Sequence, residues 1–281
     1  MGTTTSLPLR RVTFDYPERS LLCWTPRIPE VSAAANSVSL MMPFVEPYLA
    51  RTLRRTLPDL PDDLADQTRW LIDQEIAHQR QHRTFNRQLV AEIPALTKVE
   101  SMMRWVFRRL ETNRPREFSV AFAAGSETVA YSIARWTEAN ASELFMDADP
   151  LATTLFMWHL AEEVEHKSVA FDVHQALGGS RFKYLLGAIL SLLILGFFTV
   201  SSSLVMLNAQ GRLRNPMSWW KLLRWGVSLS FEVLPNVFAA GLKSHHPSEM
   251  ADPISLVSWL RLYDDESSTM PMWWVPTTAV A

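Results

Sequence analysis

Apolar residues recur every three or four positions through most of the first 180 residues, the pattern of helices with one buried face. Pro58 and Pro61 end the first helical pattern, and the glycine pair at 178–179 ends the last one. Because Pro43 and Pro47 lie inside the first pattern, we expect that helix to be kinked or broken into two. The predicted helices cover residues 31–57, 62–91, 97–110, 116–140 and 150–177.

A different pattern follows in the last hundred residues. No charged side chain occurs from Tyr184 to Gly211, and the almost wholly apolar run 185–207 exceeds the roughly 20 residues that cross a bilayer. A second apolar stretch, 225–242, contains Glu232 and Pro235, so it is a poor spanning helix on its own. Three interpretations stay open: these helices span a membrane, lie on its cytoplasmic face, or cover the apolar surface of the first 180 residues. Basic residues on both sides of the first run, and tryptophans after it, favour the last two.

These patterns predict an all-α protein with three parts: an irregular arm at 1–30, a helix bundle at 31–180 and an apolar helical region at 181–281. Composition supports this fold class, because 9 Gly in 281 residues are few for the many tight turns of a β-sandwich or a doubly wound sheet. A formal charge of −2 argues against a nucleic-acid partner. The single cysteine, Cys23, has no intramolecular partner, so we expect a reducing compartment, on the cytoplasmic side of the inner membrane if the apolar region attaches there.

The candidate chemistry lies in polar residues inside the predicted helices. Glu75 and His78 are three positions apart and therefore share one face of the second helix. Glu163 and His166 repeat this spacing on the last helix. A carboxylate and an imidazole at this spacing can bind one metal ion together, so each pair is a candidate half of a metal site.

Two further glutamates, Glu46 and Glu127, lie in otherwise apolar stretches of the two remaining long helices. They precede the two Glu-x-x-His pairs by 28 and 35 intervening residues, about one helix and a turn in each case. The chain order is therefore Glu, Glu-x-x-His, Glu, Glu-x-x-His, with one element on each helix. This is the ligand order of a dinuclear carboxylate site in a four-helix bundle.

At these residues the sequence resembles the ferritin-like di-iron carboxylate superfamily, which implies a ferritin-like four-helix bundle with added C-terminal apolar helices. The triplet His159, Glu163 and His166 is similar to that of the p-aminobenzoate N-oxygenases, whose site adds a third histidine to the usual two. The opening residues 10–17, RRVTFDYP, and the apolar C-terminal third resemble bacterial proteins described as predicted metal-dependent hydrolases. This last resemblance covers nearly the whole chain, whereas the N-oxygenase resemblance covers only the ligand helices.

The resemblance implies a role for each residue. Glu75 and Glu163 are the candidate bridging and catalytic carboxylates. Gln74 and Glu162 stand where many members of the superfamily carry Asp, and His82 lies one turn beyond His78; we expect these three to contact ligands or substrate rather than the metal. The candidate metal ligands are Glu46, Glu75, His78, Glu127, His159, Glu163 and His166.

Four carboxylates and two or three imidazoles without a thiolate favour two iron ions, with manganese or a mixed Mn/Fe pair as alternatives, over zinc. Ligands inside a bundle suit oxygen chemistry, because reactive intermediates must be kept from water. We therefore hypothesise a di-iron oxygenase or oxidase that uses O2 and an electron donor to hydroxylate or N-oxygenate a hydrophobic or amine-bearing small molecule. The alternatives are a dinuclear metal-dependent hydrolase and a non-catalytic iron-binding protein. The apolar region adds a membrane surface as a candidate partner, and the oligomeric state is not predicted.

Overall fold

The computed structural model describes residues 9–16, 20–239, 241–242 and 244–273. Within these residues the regular structure is helical, with one isolated β-bridge between Asp264 and Thr269, so the predicted all-α class is confirmed for the described part of the chain. The helices are α1 (Pro29–Arg54), α2 (Asp62–Glu92), α3 (Leu96–Asn113), α4 (Arg116–Leu144), α5 (Pro150–His166), α6 (Val169–Ala176), α7 (Arg181–Ala209), α8 (Pro216–Ala239) and α9 (Ile254–Leu260).

The start of α5 shows how local sequence sets these boundaries. Asp149 precedes the helix, and its Oδ1 accepts hydrogen bonds from the backbone N–H groups of Leu151 and Ala152, each at 3.0 Å. The single helix predicted over 150–177 is wrong, because the chain turns at Lys167 and Ser168 between α5 and α6. Buried apolar residues continue on both sides of this turn, which is why periodicity alone does not reveal it.

The predicted break in α1 is also wrong, because the helix continues through Pro43 and Pro47. A proline inside a helix leaves the carbonyl group four residues earlier without its helical donor. For Pro43 that carbonyl belongs to Ser39, and it accepts a hydrogen bond from the Asn86 side-chain amide of α2 at 2.8 Å. Packing of α1 on α2 therefore supplies the donor that the proline removes.

The apolar helix α7 lies against α1 and α4, and two glycines permit the close approach to α4. A Cβ atom on Gly125 would lie 2.2 Å from the backbone nitrogen of Ala188, and one on Gly187 would lie 2.2 Å from the carbonyl oxygen of Ala121. By length and composition α7 is the described helix that could cross a membrane, with a mean hydropathy of 2.2 in its most apolar window. Only 28% of that window is buried in the protein.

The described part of the N-terminal arm, residues 9–16, packs across α2 and α5 without forming a helix. The carbonyl of Val12 accepts a hydrogen bond from the Gln81 amide at 2.8 Å, and the Phe14 ring lies 5.7 Å from that of Trp158. The buried side chain of Arg10 pairs with two glutamates of α5. The arm is therefore part of the surroundings of the polar side chains that α2 and α5 carry.

Candidate metal centre

Four helices bring the predicted ligands into two adjoining groups. Glu46 of α1, His78 of α2 and His159 of α5 offer ligand atoms within 4.8 Å of one another, and we call them the nitrogen-rich group. The second set, which we call the oxygen-rich group, meets the same limit with one imidazole and three carboxylates. Its members are Glu75 of α2, Glu127 of α4, and Glu163 and His166 of α5.

Glu163 lies between the two groups. Its Oε1 is 2.8 Å from Nε2 of His159, and its Oε2 is 3.6 Å from Nδ1 of His166. One carboxylate thus directs an oxygen at each group, which is the position that a bridging ligand needs. The structure separates Glu75 and His78 into different groups, so the expectation that each Glu-x-x-His pair serves one ion matches the grouping only for Glu163 and His166.

Gln74 and Glu162 immediately precede the glutamates of the two Glu-x-x-His pairs. Each of them forms a hydrogen bond with a histidine of the opposite helix. Nε2 of His78 on α2 is 2.8 Å from Glu162 Oε2 on α5, and Nε2 of His166 on α5 is 2.6 Å from Gln74 Oε1 on α2. Both side-chain oxygens accept from the ring N–H, which leaves Nδ1 of each histidine directed to the centre. Gln74 and Glu162 therefore lie where the sequence prediction placed them, behind ligand candidates.

The two supports differ in charge. Arg10 of the arm is 3.2 Å from Glu162 Oε1 and 2.8 Å from Glu165 Oε2, so His78, Glu162 and Arg10 form a buried chain. Burial raises the pKa of Glu162 to about 7, while the Arg10 guanidinium opposes the rise. Gln74 carries no charge, so the His166 ring contacts a neutral amide, whereas the His78 ring contacts a carboxyl group.

His159 has a histidine behind it rather than a carboxylate. Its Nδ1 is 2.6 Å from Nε2 of His82, and its own Nε2 faces Glu163 and, at 3.5 Å, Glu46 Oε1. His82 therefore lies one layer behind the nitrogen-rich group, as predicted from its position one turn beyond His78. The structure brings all ten predicted site residues together and buries every one of them.

Burial and close contact shift the pKa values of several residues in the two groups. Burial raises the pKa of Glu46 and of Glu127 well above the usual range, and the neighbouring carboxylates raise both further. Burial also lowers the pKa of His78 well below its usual range. Burial opposes the ionisation of Glu163 and of His166, yet their contact holds the pKa of Glu163 well below and that of His166 well above the usual range. All four glutamates would ionise together only with more positive charge beside them, which bound cations would supply.

Three residues that complete these surroundings were not predicted: Arg10, Ser39 and Asn86. Asn86 could have been found from the sequence, because residues 75, 78, 82 and 86 form one polar stripe on α2 at spacings of three and four. Ser39 and Arg10 carry no such signal, since each reaches the site through packing of segments distant in the chain.

Comparison with known proteins gives one finding beside this geometry. A family model described as predicted metal-dependent hydrolase matches residues 8–251, which include both groups and the residues behind them. No curated protein and no solved structure matches the chain.

Proposed function

The chain belongs to the predicted metal-dependent hydrolase family, and from this premise we propose that it is a metal-dependent enzyme with a dinuclear centre. The observation that carries the proposal is a set of buried ligand atoms that have no hydrogen-bond partner among the described residues and that converge on the two groups. One cation in each group would satisfy them. These atoms are both carboxylate oxygens of Glu46, Oε2 of Glu75, Nδ1 of His78, Oε2 of Glu127, Oε2 of Glu163 and Nδ1 of His166.

We further propose that α1, α2, α4 and α5 form a ferritin-like four-helix bundle within residues 31–180. Their ligand order along the chain, a glutamate and then a Glu-x-x-His pair, each occurring twice, supports this fold. The arm at 1–30 and the region at 181–281 are then additions to the bundle. In this arrangement Glu163 and Glu75 would bridge two ions, with Glu46 and Glu127 as terminal carboxylates and the three histidines as terminal imidazoles.

The donor set favours iron or manganese. Oxygen and imidazole donors suit these ions, whereas structural zinc sites with thiolates need a cysteine, and Cys23 is exposed and outside both groups. We therefore expect two Fe ions, two Mn ions or a mixed pair. The added histidine, His159, belongs to the nitrogen-rich group, and three of the four carboxylates belong to the oxygen-rich group.

Hydrolysis is the first candidate reaction, because the description of the family supports it. A pair of divalent cations supplies Lewis acidity and activates water for attack on an ester, amide or phosphoester. The protein would hold the pair through Glu163, orient His78 through Glu162 and Arg10, and exclude bulk water by burying the ligands. The expected substrate is small and hydrophobic.

Oxidation with O2 is the second candidate, and the location of the ligands favours it. Every ligand arises from a helix interior and is buried, whereas hydrolytic dinuclear sites more often use loops at the ends of strands. An oxygenase or oxidase would need two iron ions, O2, an electron donor, and a hydrophobic or amine-bearing substrate. The protein's part is the same: fixed histidines, a bridging glutamate and a dry surrounding.

Metal content tests the shared part of the proposal. Elemental analysis of the protein purified without chelator is expected to give about two transition-metal ions per chain, the number in dinuclear sites of this type. Glu163→Ala should lose them, while Glu143→Ala, an exposed glutamate of α4, should keep them. Absence of metal from correctly folded wild-type protein, even after incubation with Fe(II) or Mn(II), would contradict the proposal.

Oxygen dependence separates the two reactions. The Mn-loaded protein should cleave members of an ester and phosphoester panel under nitrogen if it is a hydrolase. The Fe(II)-loaded protein should consume O2 in the presence of a reductant if it is an oxygenase or oxidase. Metal binding with neither activity would favour the third alternative, a non-catalytic iron-binding protein.

A further inference from the structure

A hydrogen-bonded chain leads from α1 to the third histidine of the centre. The Asn86 amide nitrogen donates to the Ser39 carbonyl at 2.8 Å, and its Oδ1 lies 2.6 Å from the Ser39 hydroxyl. The same hydroxyl is 2.8 Å from Nδ1 of His82, and Nε2 of His82 is 2.6 Å from Nδ1 of His159. All four side chains are buried.

The carbonyl group of Ser39 determines which atom is the donor and which the acceptor in each of these hydrogen bonds. A carbonyl only accepts, so the Asn86 atom facing it must be the amide nitrogen, and the atom facing the Ser39 hydroxyl must be the amide oxygen. The hydroxyl consequently donates to Asn86, and it accepts from His82 Nδ1–H. Pro43 is the origin of this order, because it deprives the Ser39 carbonyl of its helical donor.

His82 is a neutral ring in this arrangement. Its two nitrogens are occupied by a hydroxyl and an imidazole, without a carboxylate on either, and its side chain is fully enclosed. A charged imidazolium there would have no carboxylate on either ring nitrogen among the described residues, and burying an unpaired charge is costly. With Nδ1 protonated, the neutral ring has a lone pair on Nε2.

We infer that Ser39, His82 and Asn86 are positioning residues that keep a proton on Nδ1 of His159 and so reserve its Nε2 for a cation of the nitrogen-rich group. His159 Nδ1–H donates to His82 Nε2, whereas its Nε2 lies 2.8 Å from Glu163 Oε1, where a cation would replace the proton of the metal-free ring. The inference rests on the proposed dinuclear centre for its purpose. The proton on Nδ1 is itself a property of the metal-free protein.

The test uses Ser39→Ala, with Ser37→Ala as the matched control. Both serines are buried on α1, but the Ser37 hydroxyl donates to the Ala33 carbonyl and contacts Ser203 instead of His82. In the metal-free wild type, 15N NMR of labelled histidine should show a protonated Nδ1 for His159. Ser39→Ala should shift this nitrogen toward a mixture of protonated and unprotonated forms, and Ser37→Ala should not.

Calorimetric titration with Mn(II) provides the second readout. Ser39→Ala should weaken the ion of the nitrogen-rich group by about 10- to 100-fold, the usual effect of removing a residue behind a metal ligand, and Ser39→Thr should restore its affinity. An unprotonated Nδ1 of His159 in the metal-free wild type, or unchanged Nδ1 protonation and affinity in Ser39→Ala, would overturn the inference. A wild type that shows the protonated Nδ1 but binds no metal would instead contradict the proposed dinuclear centre.

An independent observation concerns the exposed sides of α7 and α8, which are apolar where a surface helix is normally polar. Exposed apolar side chains follow one stripe along each helix, mostly at spacings of three and four residues. We call the two stripes the outer apolar face. It consists of Phe182, Leu186, Leu193, Phe197 and Val200 on α7, and of Trp220, Leu223, Val227, Phe231, Leu234 and Phe238 on α8.

The opposite side of α7 packs as helices pack in a membrane protein, through small residues and hydroxyl pairs. Beside the glycine contacts with α4, Ser126 donates to the Ser191 hydroxyl at 3.0 Å, and Ser37 lies 3.1 Å from Ser203. Thr128 and Tyr184 form a further hydroxyl pair. Large apolar side chains such as Phe198 and Met206 also pack on this side, whereas the α7 residues of the outer apolar face are exposed and lack a partner within the described part of the chain.

The charge of residues 173–231 supports a lipid surface as the partner of the outer apolar face. Between Asp172 and Glu232 the sequence has no Asp or Glu, although the whole chain has 29 of them against 27 Lys and Arg. Six basic residues remain in the interval: Arg181, Lys183, Arg212, Arg214, Lys221 and Arg224. Glutamates of α1 and α4 pair with three of them, Lys183, Lys221 and Arg224, so the positive charge left to the surface lies mainly at Arg181, Arg212 and Arg214. Exposed tryptophans at 219 and 220 lie among them. Apolar side chains bordered by tryptophan and basic residues match an anionic lipid surface.

The contacts of α7 argue against a transmembrane orientation. Its N-terminal half packs on α4 and its C-terminal half reaches α1, and α1 packs in turn on α2. Exposed charges run along α2, including Asp73, Arg80 and Arg87. If α7 crossed a bilayer, these charges would lie at hydrocarbon depth, at a cost of roughly 2.5–3.5 kcal/mol each.

We propose that the outer apolar face binds the surface of an anionic lipid bilayer, with α7 and α8 lying in the membrane plane. Flotation with vesicles tests this, using phosphatidylcholine alone and phosphatidylcholine mixed with phosphatidylglycerol. The wild type should float with the anionic vesicles, and less so as salt is raised. Leu223→Glu and Phe231→Glu should each lower binding to the anionic vesicles by about tenfold. Ile254→Glu should not lower it, because Ile254 is as exposed as Phe231 but lies on α9, outside the outer apolar face.

A second copy of the chain could instead contact the outer apolar face. Light scattering on the same variants tests this by measuring whether the protein is a dimer. A dimer in the wild type that dissociates in Phe231→Glu, without vesicle binding, would overturn the proposal. Failure to bind either kind of vesicle would also overturn it. Retention in the membrane after washes with high salt and alkaline carbonate would contradict the in-plane orientation.

Discussion

The two halves of the centre use different donors for what are otherwise similar positions. The oxygen-rich group has three carboxylates and one imidazole, whereas the nitrogen-rich group has one carboxylate and two imidazoles. A dication therefore meets far more negative charge in the first group than in the second. We expect the oxygen-rich group to bind its ion first and to favour hard ions such as Mn(II), and the nitrogen-rich group to accept softer ions as well.

The halves also differ in what lies behind their histidines. His78 is held by Glu162, whose charge is shared with Arg10, and His159 is held by a neutral histidine. His166, in the oxygen-rich group, is held by the neutral amide of Gln74. The protein thus places a carboxylate, Glu162, behind a histidine of the group with fewer carboxylates, which would narrow the electrostatic difference between two bound ions.

The largest expected effect comes from removing the residue that the two halves share. Glu163→Ala takes one oxygen from each group, so it should lower the metal content from about two ions per chain to nearly none. Elemental analysis measures this, with Glu143→Ala as the folded control. Retention of one full equivalent in Glu163→Ala would show that the carboxylate does not bridge.

Removing the metal should destabilise the whole chain. Four glutamates and three histidines converge at the centre, and each ion bound at 100 to 1,000 times its Kd adds about 3–4 kcal/mol to the free energy of unfolding, so two ions add about 5–8 kcal/mol. Chelation should therefore lower Tm by about 10–30 °C. One equivalent of Mn(II) should restore more than half of the loss, because it fills the group with more carboxylates. Equal steps for the first and second equivalents would contradict the comparison.

Single ligand substitutions should separate the halves. Glu127→Gln removes a carboxylate from the oxygen-rich group and should weaken the first Mn(II) ion by about 100-fold or more, beyond the usual effect of a residue behind a ligand. His78→Gln should leave the first ion unchanged and weaken the second. Calorimetric titration distinguishes the two steps. If both variants weaken the same ion, the two groups form one site.

Substitutions of Glu162 and Gln74, the residues behind His78 and His166, should change the affinity for the ions by smaller factors and in opposite directions. Glu162→Gln removes the charge behind His78 and should weaken the second ion by about 10- to 100-fold. Gln74→Glu adds a charge behind His166 and should strengthen the first ion by a smaller factor, because the added carboxylate would be buried. Titrations of both variants against the wild type measure this difference. No change in either would show that the supports only pack against the rings.

The candidate ligands could be selected from the sequence because each one is a Glu or His inside a long, mostly apolar helix, at a spacing that fits one helix face. Glu75, His78 and His82 share a face of α2 by spacing alone, and the start of α2 at Asp62 follows from Pro61. The same spacing rule could have added Asn86. The separation of the two groups was not predictable, because it depends on which way each ring turns, and that is set by Glu162 and Gln74 from the opposite helix.

The errors arose where a tertiary contact overrides a local signal. Pro43 normally breaks a helix, but Asn86 of α2 supplies the missing donor and α1 continues. Arg10 lies in a segment without helix, but the contact of its guanidinium with two glutamates of α5 was not predicted. Neither contact can be read from residues close in the chain.

Anomalous diffraction from crystals loaded with Mn(II) tests the central claim most directly. Two anomalous peaks are expected about 3.5–4 Å apart, as in other two-metal sites, one beside His159 and the other beside His166, with Glu163 between them. At a substoichiometric Mn(II) concentration the peak beside His166 should be the stronger. A single peak shared by all the ligands, or none in crystals of the folded protein, would contradict a dinuclear centre with two unequal halves.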